Sequence, residues 1–178
     1  MNLRKLLGIR IINKYWIIFF LNINQLLMND FENCKIMILD TEYDNSPKRL
    51  LALAYIIYDK GNKIDEKIMY VKHNPKVFKV NEYGEAFKFH KLTNKFLNEN
   101  GNSLDNVMNS FYDDLKDVNI LIGQNVISAD LSLLRKESIA TKIWTNKMDK
   151  VFRKLKIFDN IKIFKKANYT ESAALNNI

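Results

Sequence analysis

An apolar run, Ile36–Leu39, ends abruptly at Asp40, and a second acidic residue, Glu42, follows two positions later. A continuous apolar run of this length is typical of a strand that is covered on both faces of a sheet. Residues two apart on a strand share a face, so Asp40 and Glu42 present their carboxylates side by side. Such a pair is also ordinary turn chemistry, and alone it indicates a functional site only weakly.

The pattern after this strand predicts an α/β fold with a mixed sheet flanked by helices. The first strand, 35–42, should be central, with hairpin partners at 50–58 and 66–72. The stretch from Pro75 to Gly101 reads as irregular. Ser103 then caps a helix over 104–117 that should pack on one face of the sheet, followed by a buried strand at 118–123 and a helix from 129 to 138. A chain of 178 residues is long enough for one domain with a real core.

The first 30 residues predict an apolar extension ahead of a domain at 31–178. The longest clean apolar run, Tyr15–Leu21, is far shorter than the ~20 residues that span a bilayer, so no stable membrane insertion is expected. No small-residue cleavage site follows it, which argues against secretion. One interpretation of the extension is an apolar helix that docks on the domain or on a partner. The other is that translation begins at Met28. The single cysteine, Cys34, excludes an internal disulfide and fits a cytoplasmic or other reducing compartment.

A third carboxylate, Asp130, opens the helix that follows the strand at 118–123. The helix dipole alone would favour an acidic residue there. If this strand lies beside the first, however, Asp130 approaches Asp40 and Glu42 at one edge of the sheet. Three converging carboxylates are the hard oxygen ligands that suit Mg²⁺ or Mn²⁺. The net charge of +8 fits a polyanionic partner, although an AT-rich coding sequence would also raise the lysine content.

The segments "ILDTEYD" and "LIGQNVISADLSLL" resemble the first two motifs of the DEDD 3′–5′ exonuclease superfamily, the group of the polymerase proofreading exonucleases. Between them, "FHKLTNKFLNENG" is similar to the segment in which that family has H-x-[IL]-T and a later glycine. The resemblance implies a ribonuclease H-like fold and two-metal hydrolysis of phosphodiester bonds in DNA or RNA. It also implies that Asp40 bridges two Mg²⁺ or Mn²⁺ ions, Glu42 holds the ion that activates water, and Asp130 serves the second.

The same resemblance implies binding of single-stranded DNA or RNA 3′ ends. Thr41 and Tyr43 would lie against the terminal nucleotide. Asn125 would support the substrate strand or the geometry of its own protein loop. Gln124 stands where the family commonly has a histidine; glutamine keeps the hydrogen bonding but has no group that titrates. For His90 a structural role, shaping the segment beside the pocket together with Thr93, is favoured over a functional one.

The family's third motif supplies a histidine or tyrosine base and a fourth carboxylate, and neither is recognisable here. No histidine follows His90, Asp159 falls at a strand-end position that is not a metal ligand, and Glu171 is no convincing substitute. The sequence thus resembles a C-terminally incomplete exonuclease domain, with one metal ion bound or two. We expect slow or no hydrolysis unless another polypeptide or a polymerase completes the site. The alternatives are a non-catalytic nucleic-acid-binding remnant, and an interaction or membrane-associated protein that works through its apolar extension.

Overall fold

The computed structural model describes residues 33–45, 47–142, 146–159 and 161, so the apolar extension and Glu171 lie outside the described residues. A five-stranded mixed sheet has the order β3-β2-β1-β4-β5. Its strands are β1 (Lys35–Asn45), β2 (Lys48–Asp59), β3 (Asn62–Tyr70), β4 (Ile120–Gly123) and β5 (Lys156–Asp159). The first three strands form an antiparallel meander, and β4 and β5 continue the sheet in parallel with β1. The prediction of a central first strand is confirmed.

Five α-helices accompany the sheet in the part of the chain that the structure describes. They are α1 (Glu85–His90), α2 (Asn94–Asn100), α3 (Leu104–Leu115), α4 (Ser132–Ala140) and α5 (Asn146–Lys154). A π-helical turn, Ile127–Leu131, leads directly into α4. No helix within these ranges is long and apolar enough to cross a membrane.

The segment that was expected to be irregular contains both α1 and α2. Each has only six or seven residues, too few to show a helical repeat of apolar positions, and local capping sets their limits instead. The Thr93 hydroxyl accepts the Phe96 N–H at the start of α2, at 3.1 Å. Gly101 follows the last residue of α2, and a Cβ there would stand 2.5 Å from the Leu97 carbonyl oxygen. Thr93 therefore shapes this segment, as predicted.

Both faces of β1 are covered, which explains its continuous apolar run. Met37 and Leu39 belong to the main core, together with Phe111 of α3. Ile36 is buried on the other face in a smaller cluster, and Ile38 packs against that cluster while keeping part of its surface exposed. Because β1 is anchored on both faces, the residues at its carboxyl end have a fixed position relative to the rest of the sheet.

Candidate functional site

The register of β1 places Asp40 just beyond the end of its parallel neighbour. Ile38 pairs with Ile122, and β4 ends one residue later at Gly123, so Asp40 has no β4 residue opposite it. In open α/β sheets, ligands bind outside the carboxyl ends of parallel strands. Asp40 therefore lies where the topology of the sheet favours a site.

On its other side, β1 stays paired with β2 throughout the acidic stretch. Asp40 lies opposite Ala54, and Glu42 lies opposite Ala52. Directly opposed residues of an antiparallel pair share a face, so on β2 each of the two carboxylates faces a methyl group. The small side chains in the "LALA" segment of β2 leave space around the carboxylates, a sequence signal that the motif analysis did not use.

A tight turn after β4 brings Asp130 to the same edge. Gly123 allows a close approach to Val126, because a Cβ at Gly123 would lie 2.6 Å from the Val126 Cβ and 3.0 Å from the Leu39 carbonyl oxygen. Asn125 adopts a left-handed backbone with φ of 54°, which asparagine tolerates better than most residues. The chain then enters the π-helical turn that carries Asp130.

Asp130 is buried and is bound to the residue between the other two carboxylates. Its Oδ1 accepts a hydrogen bond from the Thr41 hydroxyl at 2.5 Å. The turn is held from the other side by Asp159, whose Oδ2 accepts the Ile127 N–H at 3.2 Å. Asp159 is thus a buried acceptor that holds this turn.

The pKa of each of the three carboxyl groups is raised, mainly by burial. Burial raises the pKa of Asp40 to about 6, against a smaller lowering by the Thr41 backbone N–H. Burial raises the pKa of Glu42 to about 7, and the negative charges of Asp40 and Asp130 add to it. Burial, with the charge of Asp40, raises the pKa of Asp130 to about 7 although the Thr41 hydroxyl opposes it. The site is an acidic cluster in which the neighbouring charges that raise the pKa of Glu42 and Asp130 are themselves carboxylates.

No ion pair among the described residues neutralises this cluster; the eight that occur there involve other carboxylates. Across the same ranges, no three histidine, cysteine or acidic side chains are arranged so that they could hold a metal ion. The Asp130 oxygen that faces Thr41 is already engaged. The donor set fits Mg²⁺ or Mn²⁺ in chemical type, but this conformation does not hold it in coordination geometry. The predicted metal site stays a prediction.

The predicted nucleotide contacts lie around the same edge. Thr41 is buried beneath Asp130, and Tyr43 is half-buried with the Lys48 ammonium 4.3 Å from its ring centroid. Gln124 and Asn125 are half-buried in the turn after β4, where the Asn125 carbonyl accepts the Ala129 N–H at 2.9 Å. The backbone of Asn125 supports the loop geometry. Contacts of these four residues with a nucleotide stay predictions.

His90 is buried at the end of α1, and its Nδ1 accepts the Leu92 N–H at 3.0 Å. Within the described chain its Nε2 has no partner. Burial lowers the pKa of His90, while the charge of Asp44, two residues beyond Glu42, opposes that shift. A neutral, buried ring that accepts a backbone N–H shapes the segment beside the site, as the sequence indicated.

Two exposed aromatic residues lie just before and within the same helix, α1, and the sequence analysis did not single them out. Tyr83, just before α1, is 99% exposed, and Phe89 within it is 75% exposed. The helix α1 contacts β1, the strand that carries Asp40 and Glu42, and the charge of Asp44 acts on His90 at the end of α1. The available signal was the aromatic and lysine content of 83–91, which is typical of nucleic-acid-binding surfaces.

Comparison with solved structures finds this sheet and its helices in exonuclease I. The E. coli enzyme in complex with a dA16 oligonucleotide matches with a TM-score of 0.60 at 14% identity, over 76% of this chain and 30% of that one. Apo exonuclease I matches with a TM-score of 0.61 at 14% identity, over 76% of this chain and 31% of that one. The chain has the ribonuclease H-like fold.

At this identity the likeness concerns the ribonuclease H-like fold alone, and the chain matches less than a third of the length of these exonuclease I chains. No protein-family model matches the sequence, and no curated protein matches it either. The predicted fold class is confirmed. The activity has to be argued from the site.

Proposed function

We propose that this chain is a 3′–5′ exonuclease-type domain that hydrolyses phosphodiester bonds of single-stranded DNA or RNA with divalent metal ions. The observation that carries the proposal is the placement of Asp40, Glu42 and Asp130 at the carboxyl edge of parallel strands in a ribonuclease H-like fold. The hydrogen bond from Thr41, which lies between the first two acidic residues, to Asp130 ties the three together. Buried charges of one sign are costly without a compensating cation, and a bound metal would provide it.

Mg²⁺ or Mn²⁺ would be held by Asp40 and Glu42, with Asp130 as a direct or water-mediated ligand. When bound, such ions neutralise charge on the phosphate and lower the pKa of a coordinated water. The donor chemistry supports this assignment because all three groups are carboxylates. A neighbour in the fold comparison, the zinc-ion-bound form of the E. coli exonuclease I complex with single-stranded DNA, is consistent with metal binding in this fold.

The residues of the chain would divide the remaining tasks. The Thr41 hydroxyl orients Asp130, and Tyr43, Gln124 and Asn125 line the edge where the terminal nucleotide would lie. Tyr83 and Phe89 offer open ring faces on which bases can stack, worth about 1–3 kcal/mol per base. Stacking of this kind requires unpaired bases, which favours a single-stranded substrate. The structures of E. coli exonuclease I in complex with dA16 and 5cy-dA13 oligonucleotides support the same choice.

Hydrolysis by residues 1–178 alone should be slow. Among the described residues, neither of the two histidines has a hydrogen bond with the three carboxylates: the His73 Nε2 lies 2.7 Å from the Leu50 carbonyl oxygen, and the buried His90 accepts the Leu92 N–H through Nδ1. Loss of a general base costs a factor of about 10²–10⁴ in rate. We propose that the base and a fourth carboxylate come from another polypeptide segment, such as a partner or a polymerase.

The test is digestion of a 5′-labelled single-stranded 20-mer, as DNA and as RNA, by the purified chain with Mn²⁺, with Mg²⁺ or with EDTA. We expect slow shortening from the 3′ end that needs the metal and disappears in Asp40→Asn. The matched control is Asp105→Asn, an exposed residue in the first turn of α3, which should behave like the wild type. Binding without any metal-dependent digestion would instead favour the non-catalytic remnant.

A further inference from the structure

A cavity of about 400 Å³ opens at the end of the parallel strands that is opposite to the carboxylates. It is lined by Cys34 just before β1, by Asn119 just before β4 and by Lys156 at the start of β5. These are the amino ends of the three parallel strands, whereas Asp40 and Glu42 lie at the carboxyl end of β1. The cavity is therefore separate from the candidate nuclease site.

Four lysines from three elements surround this cavity. Lys116 follows α3, Lys150 and Lys154 lie one turn apart on the same face of α5, and Lys156 begins β5. All four are exposed. Of these, only Lys116 belongs to an ion pair between described residues, with Asp113 at 3.1 Å.

Helix dipoles explain part of this arrangement. Lysines at helix C-termini are favoured by the negative end of the dipole, which accounts for Lys116 after α3 and Lys154 at the end of α5. It does not account for Lys150, a turn earlier, or for Lys156, which is on a strand. Among the described residues that line the cavity, Asp117 is the one acidic side chain against four lysines.

We propose that this lysine-lined cavity binds the phosphodiester backbone of single-stranded nucleic acid as a second, non-catalytic site. Lysine ammonium groups bind phosphates as point charges and impose little geometry, which suits a flexible strand. Small-molecule pockets of comparable size usually contain only a few polar groups, whereas four lysines line this one. The net charge of +8 would draw any polyanion toward the chain, and the cavity concentrates part of that charge.

Binding at this cavity needs neither the metal nor the carboxylates, so the proposal stands apart from the nuclease assignment. The probe is a labelled dT20 strand titrated with the full chain in EDTA, which prevents metal-dependent digestion, at several salt concentrations. The variant is Lys150→Gln/Lys154→Gln/Lys156→Gln. Its control, Lys60→Gln/Lys76→Gln/Lys95→Gln, removes the same charge from exposed lysines elsewhere. Circular dichroism of both variants checks that the fold is kept.

We expect the cavity variant to bind dT20 about 10-fold more weakly at low salt and to lose about 2 from the slope of log affinity against log salt, since each phosphate contact contributes about 0.7. The control should lose much less of both. Equal losses in the two variants would show that only net charge matters, and unchanged binding would show that the cavity is not used; either result overturns the proposal. Equal competition by polyaspartate of matched charge would overturn the assignment to nucleic acid.

Discussion

At the scale of single residues, the acidic side chains of this protein fall into two kinds. Glu137 is buried, but its Oε1 accepts the Arg49 Nε–H at 2.9 Å and the Leu50 N–H at 3.1 Å. Its charge is neutralised within the fold, and it ties α4 to β2. Asp40 and Glu42 belong to no ion pair between described residues, and the charges of Asp40 and Asp130 add to the rise in the pKa of Glu42. Burial alone thus does not mark a site, whereas burial without neutralisation does.

The buried ion pair should contribute much more to stability than a surface one. Glu137→Leu leaves Arg49 without a partner and the Leu50 N–H unsatisfied, so we expect the free energy of unfolding to fall by about 2–4 kcal/mol. The control is Asp149→Asn, which breaks an i,i+4 pair with the exposed Arg153 and should cost less than about 1 kcal/mol. Urea unfolding measures both. Similar losses would contradict the structural role given to Glu137.

The hydrogen bond between Thr41 and Asp130 should be energetically coupled. Thr41→Val keeps the shape but removes the hydroxyl donor, so at pH 8 the buried Asp130 carboxylate keeps only its backbone hydrogen bonds. We expect a loss of about 1–3 kcal/mol in the free energy of unfolding. The same substitution in an Asp130→Asn background should cost less, because the charge is gone. A double-mutant cycle by urea unfolding measures the coupling, and additive effects would show that the hydroxyl does not hold Asp130.

At the scale of the elements, the site depends on how β4 ends. The strand has only four residues, and the chain turns away at Gly123 so closely that Val126 and the Leu39 carbonyl oxygen leave no space for a side chain. This turn sets the direction of the π-helical segment, and therefore the position of Asp130 relative to β1. Because β4 is short and the chain leaves it in a sharp turn, the carboxyl end of the longer strand β1 has no β4 residue beside it.

Gly123→Ala should consequently disturb both the fold and the site. A Cβ there would meet backbone and a buried side chain at 3.0 Å or less, so we expect a loss of about 2–3 kcal/mol in unfolding free energy and weaker metal-dependent digestion. The control is Gly61→Asn in the β2–β3 turn, where φ is 79° and nothing lies within 4 Å of an added Cβ. Asparagine tolerates this conformation, so the loss should stay below about 1 kcal/mol. Equal losses would show that the turn after β4 has room.

At the scale of the whole molecule, charge is divided between the two ends of the parallel strands. The carboxyl end carries the acidic cluster, and the amino end carries the lysines of the lysine-lined cavity. A single strand of nucleic acid would be repelled from the acidic cluster until a metal neutralised it, and attracted to the lysines without one. Metal ions should therefore control where nucleic acid binds as well as whether it is cut.

The acidic cluster should make stability depend on pH. The pKa values of Asp40, Glu42 and Asp130 are raised in the folded state, so the fold holds protons that the unfolded chain releases. Their stabilising contribution is full below the unfolded pKa values near 4 and is lost as pH rises through about 6–7. In EDTA, we expect the free energy of unfolding to fall by about 2–4 kcal/mol between pH 5 and pH 8.

Two controls separate the cluster from other titrating groups. The variant Asp40→Asn/Glu42→Gln should have a flatter stability profile over the same pH range. Added Mg²⁺ or Mn²⁺ at pH 8 should raise the urea midpoint of the wild type and not that of the variant, because ligands stabilise the state that binds them. A wild-type profile as flat as that of the variant would contradict the electrostatic account of the site.

The sequence by itself determined the central strand and its neighbours. The run Ile36–Leu39 predicted a strand covered on both faces, and the sequence also predicted hairpin partners at 50–58 and 66–72, where β2 and β3 lie; both predictions follow from local patterning. The order Asp40, Glu42, Asp130 also suggested one shared edge, because carboxyl ends of parallel strands meet there. What the sequence could not provide was any contact that depends on distant residues.

Only the tertiary structure decided how those residues are held. The hydrogen bond from Thr41 to Asp130 joins positions 89 residues apart, and no local sequence pattern around either residue predicts that the two are in contact. The short helices α1 and α2 depend on capping rather than on apolar periodicity, so they escaped the pattern analysis and so did the exposed rings of Tyr83 and Phe89. The lysine-lined cavity is assembled from α3, α5 and β5, since packing brings together charges that the sequence leaves up to 40 positions apart.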